Sequence, residues 1–198
     1  MKTICIFGDS ITWGRGLESR VGWANLLRNE LEAQDDSIHV YDLGIDGNTT
    51  HDLLERVPGE AKVRKPDIII WAIGVNDSAY RKTPNYPLIK AEQFEDNLDT
   101  LFELGAEMAQ KQLCVGIAKG SDANTTPLPG STTGKCYVKQ RVREYDEIIK
   151  SVAMDTGIEY VSISSVLSDN DFYDGLHPNE KGHKKIFERV LPAVEELL

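Results

Sequence analysis

The chain has 198 residues and a formal net charge of −10, a balance that disfavours nucleic acid as a partner, since no basic stripe is present to displace counterions from phosphates. Hydrophobic residues at 40% and charged residues at 27% fit one globular domain over residues 1–198, and no apolar run approaches the roughly 20 residues that span a bilayer. Cys5, Cys114 and Cys136 are odd in number, widely spaced and without metal-site spacing, so they read as buried free thiols. Met1-Lys2 leads straight into an apolar strand with no segment ending in a small-residue cleavage site; the expectation is a cytoplasmic protein, although a secreted chain trimmed of its signal reads the same.

Thr3-Ile4-Cys5-Ile6-Phe7 is the right length for a buried strand, and Gly8 after it permits a sharp turn that presents Asp9 and Ser10 at the strand's carboxyl end. Two readings are open at this point: a reactive serine where α/β proteins place their ligands, or a plain helix cap. Ile11 to Arg20 has no clear period and reads as turn and loop, with Trp13 walling a site. Gly22 to Ala33 places Trp23, Leu26, Leu27 and Leu31 at helical spacing. Ile38 to Tyr41 alternates as a second strand and runs into a loop in which Gly44 and Gly47 lie three apart, before another helix.

Ile68 to Ile73 is apolar on both faces, the pattern of a central parallel strand, and it ends in Gly74-Val75-Asn76-Asp77. A long amphipathic helix over Ala91 to Lys111 precedes a fourth strand, Leu113 to Ile117. The polar stretch from Lys119 to Lys135 is expected to be a mobile segment bordering a pocket. Val138 to Thr156 is helical by period with Gly157 as its C-cap, and Ile158 to Ile163 makes a fifth strand. Ser168 to His177 is turn-rich; Pro178 fits the first position of a last helix, which runs from Asn179 to Leu191 and is interrupted by Pro192. Five strands alternating with helices argue an α/β fold, a three-layer αβα sandwich around a five-stranded parallel sheet.

Ser10, Gly47, Asn76 and the pair Asp174 and His177 all fall at strand ends or in the last turn. Each alone has a plain structural reading, Asn76 and Asp174 as turn formers and Gly47 as a positive-φ residue. Together they supply a nucleophile, an imidazole base, a carboxylate to orient it and donors for an oxyanion. No metal or cofactor is called for by this set. Thr12 occupies the second glycine position of a G-x-S-x-G elbow, which disfavours the common α/β-hydrolase fold.

Gly8-Asp9-Ser10, Gly47, Gly74-Val75-Asn76-Asp77 and Asp174-Gly175-Leu176-His177 resemble the four sequence blocks of the GDSL or SGNH hydrolase family, across nearly the whole chain. The resemblance implies a flavodoxin-like fold and a serine ester hydrolase with Ser10 as nucleophile, His177 as base and Asp174 as its partner. It also implies an oxyanion hole made by the Ser10 and Gly47 amides and the Asn76 side chain. Its substrates would be small esters, lysophospholipids, thioesters or acetylated carbohydrates. Asp42 departs from the family pattern, where asparagine often heads the second block, and puts one supporting hydrogen bond in question. A flavodoxin-like binder of a phosphate-bearing ligand is the competing reading. Against it, no G-x-x-x-x-G-K-[ST] or G-x-G-x-x-G pattern follows a strand. A hydrolase relative that has lost activity finds no support, since each block position is filled.

Overall fold

The structure, a computed structural model, describes residues 1–81 and 86–198. Its main sheet has five parallel strands, β1 (Lys2–Gly8), β2 (Ile38–Gly44), β3 (Ile68–Ala72), β5 (Lys111–Val115) and β7 (Glu159–Val161). A second, two-stranded antiparallel ribbon pairs β4 (Tyr80–Arg81) with β6 (Lys135–Cys136). The main sheet runs β2-β1-β3-β5-β7, the flavodoxin-like order in which the chain reverses direction across β1 and β3. Ligand sites in such sheets lie at that reversal, beyond the carboxyl ends of the strands.

The helices are α1 (Ser10–Trp13), α2 (Trp23–Gln34), α3 (Thr50–Arg64), α4 (Ala91–Met108), α5 (Lys139–Asp155) and α6 (Glu180–Leu197). Alternation along the strands sorts the core into two layers. Cys5, Phe7, Ile69, Trp71 and Cys114 pack under α3, α4 and α5, while Ile4, Ile6, Ile68, Ile70 and Leu113 pack under α2 and α6. Strands covered on both faces must be apolar on both, which is why Ile68 to Trp71 is an unbroken apolar run. All three cysteines are buried and free.

Local details differ from the sequence expectations. The first residues after Gly8 form a helical turn instead of loop, because Asp9 caps it, its Oδ1 accepting from Ile11 N at 2.9 Å. Pro178 lies outside the last helix, in an antiparallel bridge with Phe172; Asn179 is the cap, accepting from Gly182 N at 3.0 Å. Pro192 does not interrupt α6, which continues to Leu197. A proline inside a helix costs about 3 kcal/mol, and each well-buried aliphatic side chain returns about 1.5–3 kcal/mol. Val190 and Val194, both fully buried on the sheet, hold the helix through the proline.

The stretch from Lys119 to Lys135 is tied down at both ends. Gly120 N donates to Gly175 O at 2.9 Å, and Thr125 and Tyr137 exchange hydrogen bonds at 2.7 and 2.8 Å. Leu128 N reaches Lys135 O at 2.9 Å, and the segment then enters the separate β4–β6 ribbon.

Backbones approach closely where β1, β2 and α1 meet. A Cβ on Gly44 would stand 2.5 Å from Trp13 N and 2.8 Å from Asp9 O, and backbone atoms cannot rotate away as a side chain can. Gly44→Ala is therefore expected to lower stability by about 1–3 kcal/mol, the usual range for overpacking. An unchanged urea midpoint would contradict this. His183 on α6 is fully buried, accepts from Trp23 N through Nδ1 at 3.1 Å, and has no partner for Nε2 among the described residues. Burial, then the nearby His177, push its pKa down from 6.5 to about 4. A depressed histidine stabilises the fold above its unfolded pKa and loses that contribution as pH falls toward the folded value. The stability advantage of the wild type over His183→Asn, measured by urea unfolding, should accordingly shrink between pH 6.5 and 4. A constant difference across that window would show that His183 does not titrate on unfolding.

Candidate active site

The carboxyl end of β1 delivers Ser10 as the first residue of α1, with 5% of its surface exposed. The Ser10 hydroxyl lies 3.0 Å from His177 Nε2, and His177 Nδ1 lies 2.8 Å from Asp174 Oδ2. With Nδ1–H donating to the carboxylate, Nε2 is left to accept the hydroxyl proton. Asp174 and His177 share one tight turn. Asp174 Oδ1 accepts from the backbone N–H groups of Leu176 and His177 at 2.9 and 2.8 Å, and Tyr173 N donates to His177 O at 2.7 Å. Burial alone would raise the Asp174 pKa, but the hydrogen bond from His177 and the two backbone donors outweigh it and hold the carboxyl below its usual range. The carboxylate therefore stays ionised behind the imidazole.

The turn after β3 carries Asn76, 3% exposed, and Gly47 reaches the same cleft with a φ of +80°. Asn76 Nδ2 donates to Asn48 O at 3.0 Å and makes a long contact of 3.5 Å to Asp9 Oδ2, so one of its two N–H groups is only weakly engaged. Its Oδ1 accepts from Tyr137 Oη at 2.8 Å and from Lys135 Nζ at 3.3 Å. Asp9 is nearly fully buried, and desolvation pushes its pKa up to about 7 despite the hydrogen bond from Ile11 N.

Groups outside the four sequence blocks hold this arrangement. Arg56 on α3 donates to the carbonyls of Gly8 and Leu43 at 3.1 and 2.7 Å and to Asn48 Oδ1 at 2.8 Å. Asp77, with no exposure, accepts from Thr50 N at 3.0 Å and Thr50 Oγ1 at 2.6 Å, joining the start of α3 to the turn that carries Asn76. Asp42 fills the place where the family often has asparagine, accepting from Gly44 N at 3.0 Å and from Asn25 Nδ2 at 2.8 Å. Arg56, Lys135 and Tyr137 carried no signal in the sequence beyond their ordinary residue types.

The cleft over these groups has a volume of about 710 Å³. Its floor holds Ser10, Asn76 and His177, and the stretch from Leu128 to Thr133 borders it. The outer walls are polar: Arg15 pairs with Asp46, and the Arg20 guanidinium lies 4.5 Å from the ring centre of Trp13. The five sequence-predicted residues, Ser10, Gly47, Asn76, Asp174 and His177, all line this one cleft. A hydroxyl bonded to an imidazole that is bonded in turn to an ionised carboxylate, with amide donors alongside, has the parts that acyl transfer requires.

Among proteins of known identity, the chain is 25% identical to "Esterase TesA" of Pseudomonas aeruginosa over 100% of its own length and 90% of that protein's. It is 27% identical to "Acetylxylan esterase" of Xylanibacter ruminicola over 98% of its length, where it spans only 43% of the longer protein. A solved lipase/acylhydrolase from Enterococcus faecalis superposes with a TM-score of 0.80 at 22% identity, covering 99% of this chain and 96% of that one. The acetylxylan esterase Axe2 of Geobacillus stearothermophilus superposes with a TM-score of 0.76 at 20% identity, covering 98% and 94%. Residues 6–185 match a single family from the first strand into the last helix, and the chain belongs to that family, the GDSL-like lipase/acylhydrolases.

Proposed function

We propose that this acylhydrolase cleaves carboxylic esters through a covalent acyl-enzyme on Ser10, and that its substrates join a short acyl group to a polar alcohol. The observation that carries the first part is the continuous hydrogen-bonded series Ser10 Oγ, His177 Nε2, His177 Nδ1 and Asp174 Oδ2. In this reading the Ser10 oxygen attacks the ester carbonyl carbon as its proton passes to His177 Nε2. The negative charge that develops on the carbonyl oxygen meets the N–H groups of Ser10 and Gly47 and the weakly engaged N–H of Asn76. Collapse breaks the bond to the alcohol oxygen, which leaves with the proton held by His177. Water then attacks the acyl-serine by the same route, giving the carboxylic acid and restoring the Ser10 hydroxyl. Asp174, ionised, stabilises the imidazolium that forms in each half of the cycle.

The second part is supported by the walls of the cleft. Arg15, Glu18, Arg20, Asp46 and Lys135 border it, and desolvating such groups against a long hydrocarbon chain is unfavourable. The exposed Tyr173 at the mouth suits the apolar face of a sugar ring, with the partly exposed Trp13, Arg20 over its ring, on the same cleft. Acetylated carbohydrates fit both features, and two similar proteins carry the name acetylxylan esterase.

An organophosphonate should label Ser10 and no other residue, and Ser10→Ala should abolish both labelling and hydrolysis of p-nitrophenyl acetate while keeping the wild-type unfolding midpoint. Wild-type turnover by Ser10→Ala would place the nucleophile elsewhere. Across p-nitrophenyl esters of increasing acyl length, kcat/KM should fall as the chain grows, with acetylated sugars turned over. A preference for long acyl chains would refute the polar-substrate reading.

A further inference from the structure

We propose that Lys135 is a positioning residue for this reaction: together with Tyr137 it locks and polarises the Asn76 amide so that its N–H faces the developing oxyanion. The proposal rests on the reading of Asn76 as an oxyanion donor given above. An asparagine amide is nearly symmetric in shape, and as a free rotor it would offer the cleft its carbonyl oxygen as readily as its N–H. A carbonyl facing an oxyanion would repel it. At Asn76 that choice is removed, because the Lys135 ammonium, a group that only donates, lies 3.3 Å from Oδ1, and the Tyr137 hydroxyl lies 2.8 Å from the same atom. With Oδ1 held by two donors, Nδ2 is held on the opposite side, against Asn48 O.

The cation does more than orient. Drawing electron density onto the amide oxygen leaves the N–H more positive, so a hydrogen bond given by Nδ2 strengthens when Oδ1 accepts from a charged donor. The effect is larger where water is excluded, and Asn76 is 3% exposed.

The lysine is itself firmly placed. Its backbone sits in the β4–β6 ribbon opposite Arg81, with its N–H on Ser131 Oγ at 2.9 Å and its carbonyl accepting from Leu128 N at 2.9 Å. Its Nζ lies 3.8 Å from where a Cβ on Gly47 would stand, so the ammonium spans two of the three donors assigned to the oxyanion. A side chain of this length fixed at both its stem and its tip has lost its usual freedom, a cost in entropy that a merely solvated surface lysine does not incur.

The test is a double-mutant cycle with p-nitrophenyl acetate, reading kcat and KM separately and the unfolding midpoint of each variant. Asn76→Ala is expected to lower kcat by about 10²–10³, the usual loss for one oxyanion donor. Lys135→Met should lower kcat by about tenfold with KM held within about twofold, and Tyr137→Phe should act in the same direction by less, since the ammonium remains. Lys135→Arg should restore most of the loss. In the Asn76→Ala background, Lys135→Met should change kcat by less than about twofold, because the group it acts through is gone. If Lys135→Met keeps its full tenfold effect without Asn76, the lysine acts on the substrate directly and the proposal is overturned. It is equally overturned if both Lys135→Met and Tyr137→Phe leave kcat at the wild-type value. Should Asn76→Ala itself leave kcat unchanged, the oxyanion reading falls and takes this inference with it; a large loss there with an inert Lys135 removes the inference alone.

Discussion

The guanidinium of Arg56 ties the carboxyl ends of β1 and β2 to α3. At the carboxyl ends of β1 and β2 a single NH2 group of Arg56 donates to the carbonyls of both Gly8 and Leu43. Its Nε holds Asn48, whose carbonyl in turn accepts from the Asn76 amide. A hydrogen bond to a charged group is worth about 1.5–3 kcal/mol, and here it adds a charged donor to the Leu43 carbonyl and to the Gly8 carbonyl, which also accepts from Ile45 N at 3.2 Å. Ser10, the Gly47 loop and the Asn76 turn are thus separate in sequence but share one fixed frame.

That frame is built on close backbone contact. Gly8 and Gly44 are opposite one another in the β1–β2 register, and α1 crosses directly over them. Asp77 does the corresponding task at β3, its carboxylate taking the hydroxyl and the N–H of Thr50 at the start of α3. Burial pushes the Asp77 pKa up to about 6, so this link is maintained at the expense of desolvating an acid. Desolvation raises the Asp9 pKa as well, so two buried acids stand at the site, in keeping with a region shaped for chemistry more than for stability.

What could be read in the sequence followed from which forces act locally. The strands were legible because two-sided burial demands unbroken apolar runs, as in Ile68 to Trp71, and the parallel order followed from their alternation with helices. Ser10, Gly47, Asn76, Asp174 and His177 were legible because each lies in a glycine turn at a strand end or in the Asp174–His177 turn. Pro192 misled, since a local rule about proline says nothing of the burial that holds α6 together on either side of it. The helical turn after Asp9 was too short to show a period. Lys135, Tyr137 and Arg56 were invisible for a different reason: they meet their partners across separations of 59, 61 and 48 residues, and nothing in a lysine or an arginine announces so distant a neighbour.

The contact between Ser10 and His177 joins positions 167 residues apart, while His177 and Asp174 are neighbours in one turn. In chain order the strand that leads to Ser10 precedes His177 by nearly the whole fold, and α6, which packs on α2, comes after it. A chain that has assembled only β1, β2 and β3 has Ser10 in place without the imidazole that its hydroxyl meets in the complete fold. The contact of Ser10 with His177 is thus among the last that the fold completes, since it closes only when two distant stretches of the chain have met.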